Sequence, residues 1–258
     1  MTGIIYFVII LLTSILGSIV GIGGGVFFRP IFDAMGHHNV SNIAFFSGLA
    51  IATMAIVSTI KRLRDGQKIN FKTAGAIAIG AAIGGIGGDR LRQILLNALT
   101  YEHNFQYIQV ASTVAILLVA LFLSTKTNLR YEIKSPLFPP LFGIVLGIIA
   151  AFLSIGGGII NIPIFMILFG MNIKDATTNS LAIVFISQIT SIIGMTTSNG
   201  FAAFDLSIIP FVVIAAAIGG LIGAKLTKIF SETIVKRLFQ CTLIAVMMLN
   251  IANVLFFL

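Results

Sequence analysis

Apolar stretches separated by short polar breaks make up almost the whole chain. Six of them, near 40–60, 71–88, 105–124, 174–198, 206–224 and 238–258, have about the ~20 residues that one bilayer crossing needs. Each of the six is predicted to be a single transmembrane helix. Two others, roughly 3–36 and 136–171, are too long for one untilted helix and short for two full crossings. Both contain three consecutive glycines, Gly23-Gly24-Gly25 and Gly156-Gly157-Gly158. Glycine disfavours helix by ~1 kcal/mol per residue. A proline follows each run, Pro30 in the first and Pro163 in the second, and suits the early part of a new helical piece. The pattern predicts two half-helices meeting at each glycine run, as a re-entrant hairpin or a pair of short spans. Either form returns the chain to its starting side.

The two broken segments belong to an internal duplication. Gly21 to Pro30 aligns with Ser154 to Pro163 at an offset of 133, and Ser47 falls on Ser180 at the same offset. Ala81-Ala82-Ile83-Gly84-Gly85 recurs as Ala216-Ala217-Ile218-Gly219-Gly220 at an offset of 135. The predicted fold is an all-α integral membrane protein of two repeats, 1–124 and 137–258, joined by a polar connector, 125–136. Each repeat has a broken first element followed by three transmembrane helices. That odd number of full crossings inverts the second copy relative to the first.

Composition requires lipid as solvent. The 258 residues are 58% hydrophobic and 9% charged, against about 25% charged in a soluble domain. Residues 1–20 lack a basic n-region and a small-residue cleavage site, so this segment is expected to be retained. Cys241 is the only cysteine, which excludes an intrachain disulfide, and it is expected to be a buried inert thiol.

Charge sets the orientation. With broken helices, Lys61, Arg62, Arg64, Lys68, Lys72, Lys126, Arg130, Lys134, Lys174, Lys225, Lys228, Lys236 and Arg237 fall on one side. Only Arg29, Arg90 and Arg92 of the 16 basic residues remain. The positive-inside rule makes the larger group and the connector cytoplasmic, with both termini outside a cell inner membrane. The net charge of +8 then marks loops, and nucleic acid is no partner. Tyr6, Tyr101 and Tyr107 are expected near the outer interface.

Inverted repeats with broken helices build a binding site at the midplane. Unwound glycines expose backbone N–H groups at half-helix N-termini, which attract anions. The candidate substrate-binding residues are Gly23, Gly24, Gly25, Gly156, Gly157 and Gly158, with Arg29, Ser47, Asn161, Thr178, Asn179, Ser180 and Gln188. Arg29 lies about 6 Å beyond the first break at helical rise. An intramembrane arginine is a candidate site residue; an ion pair with Asp33 or snorkelling to the interface explains it equally well. Gly80, Gly84, Gly85, Gly87 and Gly88 are read as helix packing. His37, His38 and His103 have no carboxylate or cysteine cluster nearby in sequence, so neither metal nor cofactor is expected. Asp205 reads as a helix cap.

Gly21 to Pro30, its partner Ser154 to Pro163, Ala-Thr-Thr-Asn-Ser-Leu at 176–181 and Gly-Gly-Leu-Ile-Gly-Ala-Lys-Leu at 219–226 resemble the sulfite exporter TauE/SafE family of membrane permeases. The resemblance covers essentially the whole chain. It implies a secondary carrier of sulfite, sulfonates or related small organic anions. Phe45-Phe46-Ser47-Gly48-Leu49 departs from the family's Thr-Ser-Leu, and only Ser47 and Leu49 keep their places. A carrier of another solute, a membrane enzyme and an assembly protein are the alternatives. No Gly-x-Ser-x-Gly, His-Glu-x-x-His, Asp-rich or Walker A sequence supports an enzyme. The coupling ion, a proton or another, is left open.

Overall fold

The computed structural model describes residues 2–35, 38, 40–98, 102–126, 131, 135–153, 158–200 and 204–257. These residues are helical almost throughout, without a strand. The first half of the chain holds α1 (Thr2–Val20), α2 (Gly25–Met35), α3 (Val40–Arg64), α4 (Phe71–Ala98) and α5 (Glu102–Thr125). The second half holds α6 (Phe138–Leu153), α7 (Gly158–Leu168), α8 (Ile173–Asn199), α9 (Ile209–Ile229) and α10 (Glu232–Phe257). Seven of them are long and apolar enough to cross a membrane: α1, α3, α4, α5, α8, α9 and α10. Both long apolar runs are broken, as their glycines predict, into a longer helix and an 11-residue one. The break at 21–24 turns the chain back on itself: Tyr6 of α1 stacks on Phe32 of α2 at 4.3 Å, so the pair is an antiparallel hairpin.

Helix contacts come in pairs that exchange when the two halves of the chain are exchanged. α1 lies along α9 as α6 lies along α4, and α2 rests on α3 and α10 as α7 rests on α8 and α5. α3 packs on α8 and α5 on α10, each with its own counterpart. Glycine makes the two largest interfaces. Gly80, Gly84 and Gly88 meet backbone carbonyls of Pro140, Ile144 and Ile148, so closely that any side chain would strike them. Gly219 and Gly223 sit equally close to α1, at Leu11–Ser14 and Ile15–Ser18, so α1 and α9 run in the same direction. Ile79, Ile83 and Ile86 face outward from α4, an apolar exposure that lipid satisfies.

Three expectations are corrected. Gly85 meets nothing within 4 Å, and Gly87 only a side-chain carbon at 3.9 Å, because they lie off the packed stripe. Cys241 is exposed rather than buried, being on the outer side of α10. Tyr6 is fully buried among Phe32, Phe46 and His38, so its ring is no interfacial anchor; Tyr107 is exposed, and Tyr101 lies outside the described residues.

Candidate functional site

The first break is built from left-handed backbone. Gly21, Gly23 and Gly24 have φ of 75°, 98° and 65°, a region that side chains strongly disfavour. Space is a second reason for glycine here. A Cβ at Gly21 would stand 2.6 Å from Thr177 Cβ, and one at Gly25 would strike Ile51. Gly23 is covered by Ile51 and Val184, which occupy equivalent positions in the two repeats. The second break reaches the first: a Cβ at Gly158 would stand 2.6 Å from the carbonyl oxygen of Ile22. The N-termini of α2 and α7 are therefore neighbours of one small region.

Ser180 ties that region together. Its hydroxyl lies 2.8 Å from the Gly21 carbonyl and 3.4 Å from that of Gly158. Ser47, its repeat counterpart, is buried with an Oγ that has no hydrogen-bond partner. Asn161, one turn into α7, is 1% exposed, and its Oδ1 is also unpartnered. Orphaned polar atoms at such burial are uncommon in folded proteins.

Arg62 lies below the break, fully buried. Nη1 donates to Thr177 Oγ1 at 2.8 Å and Thr178 Oγ1 at 3.1 Å; Nη2 donates to Thr227 Oγ1 at 2.9 Å and to the carbonyl of Ser18. Among the described residues no carboxylate pairs with it, and its Nε has no partner.

A family model described as Sulfite exporter TauE/SafE matches residues 6–249. The chain belongs to this family. It is accordingly a membrane transporter of sulfur anions. A search of curated proteins found no match, and neither did a search of solved structures.

In this TauE/SafE protein, Gly23, Gly24, Gly25, Gly158 and Ser180 come together. Gln188 lies higher on α8, its Oε1 3.3 Å from a Cβ added at Gly48, beside Ser47. Thr178 and Asn179 are turned to the basic end. Thr178 Oγ1 bonds Gln67 and the Lys174 carbonyl, while Asn179 accepts from the Asn70 amide at 3.0 Å and donates to the Lys68 carbonyl at 3.3 Å. Pro163 is buried inside α7. Arg29 and Pro30 are backbone positions of α2, with side chains outside the described residues; Gly156 and Gly157 lie outside them altogether.

Sequence reasoning missed Arg62, counting it as one more loop charge. A signal existed. Ser47, Ile51, Ala55, Ser58 and Arg62 share one helical face, and all five are buried. It also missed the pairing of His38 Nε2 with Asp205 Oδ2 at 3.5 Å. Asp205 does cap, accepting from the Ser207 amide at 3.0 Å. Its carboxyl is held below the usual range, first by the Ser207 hydroxyl and amide and then by His38. Among the described residues no three His, Cys, Asp or Glu side chains assemble a metal site.

Proposed function

We propose that this protein is a secondary carrier of sulfite, organosulfonates or related small anions, working by alternating access around a midplane site at the two glycine breaks. One observation carries the reading: the N-termini of α2 and α7, at Gly25 and Gly158, converge where Ser180 bridges the two broken segments. Two half-helix N-termini suit a small anion, and glycine lets it approach the backbone. The proposed lining is Gly23–Gly25, Gly156–Gly158, Ser47, Asn161 and Ser180, with Arg29 and Gln188 beside it and Thr178 and Asn179 toward the basic end. Ile51 and Val184 cover Gly23 here, so they must part to admit substrate.

Inverted repeats, 1–124 and 137–258, make such a site reachable from either side in turn. Their support is chain direction. The equivalent helices α3 and α8 run antiparallel, with Gly48 beside Gln188 and Arg62 beside Thr177. In this reading the basic end and the connector are cytoplasmic, both termini are outside the inner membrane, and a coupling ion drives the cycle.

Uptake into proteoliposomes tests the proposal with sulfite, alkanesulfonates, sulfate and carboxylates. Sulfur oxyanions are expected to enter, and Gly158→Leu to abolish entry, because its side chain meets unyielding backbone at Ile22. The overpacking costs about 1–3 kcal/mol, which leaves a folded protein to assay. Absence of uptake of every sulfur oxyanion, or normal uptake by Gly158→Leu, overturns it.

A further inference from the structure

We infer that Arg62 supplies the positive charge that the transported anion meets between the glycine breaks and the basic end of the molecule. The inference rests on the carrier reading and adds to it a full charge whose contacts the structure describes. Helix N-termini and hydroxyls offer only partial charges, and the repeat counterpart of Arg29 is an isoleucine, Ile162.

Four features of Arg62 point the same way. It is fully buried on α3. Its hydrogen-bond partners are neutral: hydroxyls of Thr177, Thr178 and Thr227 and the carbonyl of Ser18. Of the described acids at this end, Asp65 is engaged by Lys61 and Lys228, and Asp175 by Asn172. The Nε donor is buried without a partner.

A buried charge is normally paired, since desolvation of an unpaired one is not repaid. The C-terminus of α1, reached through Ser18, offers about half an elementary negative charge. A monoanion would complete the compensation. Arg62 is also one side chain from the break, because the Thr177 that accepts from Nη1 is the residue packed against Gly21.

Geometry narrows the ligand. Four of the five guanidinium N–H donors are taken by Thr177, Thr178, Thr227 and Ser18, so the buried Nε–H is left to meet one anionic oxygen. Sulfite and sulfonate heads present such an oxygen. The threonine hydroxyls already donate to helix carbonyls, Thr177 and Thr178 to Lys174 and Thr227 to Gly223. They leave the guanidinium as the donor to the anion.

A purely structural Arg62 would pin α3 to α1, α8 and α9 without caring about ligand charge. The full-length protein in detergent is titrated with methanesulfonate and with the neutral methanesulfonamide, following thermal stabilisation. Wild type is expected to prefer the sulfonate. Arg62→Gln is expected to weaken the sulfonate roughly 10- to 150-fold, the range for a lost charge-assisted hydrogen bond, and so to erase the preference. A structural lesion would weaken both ligands alike, so a preserved preference in Arg62→Gln overturns the assignment. Should that variant not fold, Arg62→Lys carries the test. It keeps the charge, so the preference for methanesulfonate over the neutral methanesulfonamide must survive, and loss of that preference in a folded Arg62→Lys overturns the assignment. A wild type stabilised by neither methanesulfonate nor sulfite overturns both this inference and the carrier reading.

Discussion

At the end of the molecule that carries Lys61, Lys174 and Lys228, the amide of Asn70, the residue that caps α4, donates to Asn179 of α8 at 3.0 Å. At the opposite end the amide of Asp205, ahead of α9, donates to Asn42 of α3 at 3.1 Å. The device is the same, an asparagine of one repeat fastening the helix entry of the other. What surrounds it differs. The basic end adds Asp65 between Lys61 and Lys228, Gln67 on Thr178, and Arg62 on three helices. Around the opposite end gather rings: Tyr6 on Phe32, and Phe45 on Phe204 at 4.2 Å, with His38 bonded to Tyr6 and Asp205.

That difference bears on how a carrier opens. Polar groups pulled apart at the basic end must find water or substrate, since a buried donor left alone costs about 1–3 kcal/mol. Stacked rings at the other end can slide against one another while staying buried. In the proposed carrier cycle, the basic end is the one where opening would be chemically coupled to anion entry.

The sharpest way to break the comparison is to ask which side each end faces. Single cysteines at Lys68 and Lys228, in a Cys241→Ala background, are expected to resist an impermeant thiol reagent in intact cells. A cysteine at Leu206, exposed beside Asp205, is expected to react fully. The background change is required because Cys241 is itself exposed. Labelling of either basic-end cysteine from outside would overturn the proposed orientation of the basic end toward the cytoplasm.

Periodicity and glycine content made most of the architecture legible. Six single helices and two broken ones follow from run length and from Gly23–Gly25 and Gly156–Gly158. Of the candidate site, Ser180 was legible because the repeat singled it out together with Ser47. Arg62 was not, because Lys61 and Arg64 beside it make a run that reads as a loop marker. Only its phase on α3, continuous with Ser47 and Ser58, separates it from neighbours that reach solvent. The links of Asp65 to Lys228 and His38 to Asp205 join residues more than a hundred positions apart. Neither repeat offset relates those partners, so no pattern in the chain announces them.

A second test compares the two asparagines. Asn179 is 1% exposed and holds the Asn70 amide and the Lys68 carbonyl as well as its own helix. Asn179→Ala removes the part-buried bonds that hold the connecting loop and is expected to cost about 0.5–1.5 kcal/mol, seen as a lower unfolding midpoint. Asn42 is only partly buried, and the Asp205 turn keeps its bonds to Ser207 at 2.6 and 3.0 Å without it. Asn42→Ala is expected to cost less. Equal losses would mean that the two ends are fastened alike.

The smallest effect is expected at Asp65, where its sign with pH is informative. The carboxylate lies 2.7 Å from Lys61 Nζ and 3.1 Å from Lys228 Nζ, so it links the exit of α3 to the last turn of α9. Hydrogen bonds from Lys61, then Lys228, hold its pKa below the usual carboxylate value. A group depressed in this way stabilises the folded state above the ordinary carboxylate pKa of about 4, and that contribution disappears as pH falls through the lowered value. Asp65→Asn should therefore lower the unfolding midpoint at pH 7 and converge with wild type in acid below pH ~3, where the wild-type side chain is also losing its charge. Both lysines reach solvent, Lys228 being 58% exposed, so the difference should also shrink as salt is raised to ~1 M, where the screening length is about 3 Å. A difference that ignores both acid and salt would show that Asp65 acts by packing and not by charge. A loss larger than that of Asn179→Ala would reverse the order of the two fastenings and make the ion pair, not the buried asparagine, the main hold on the basic end.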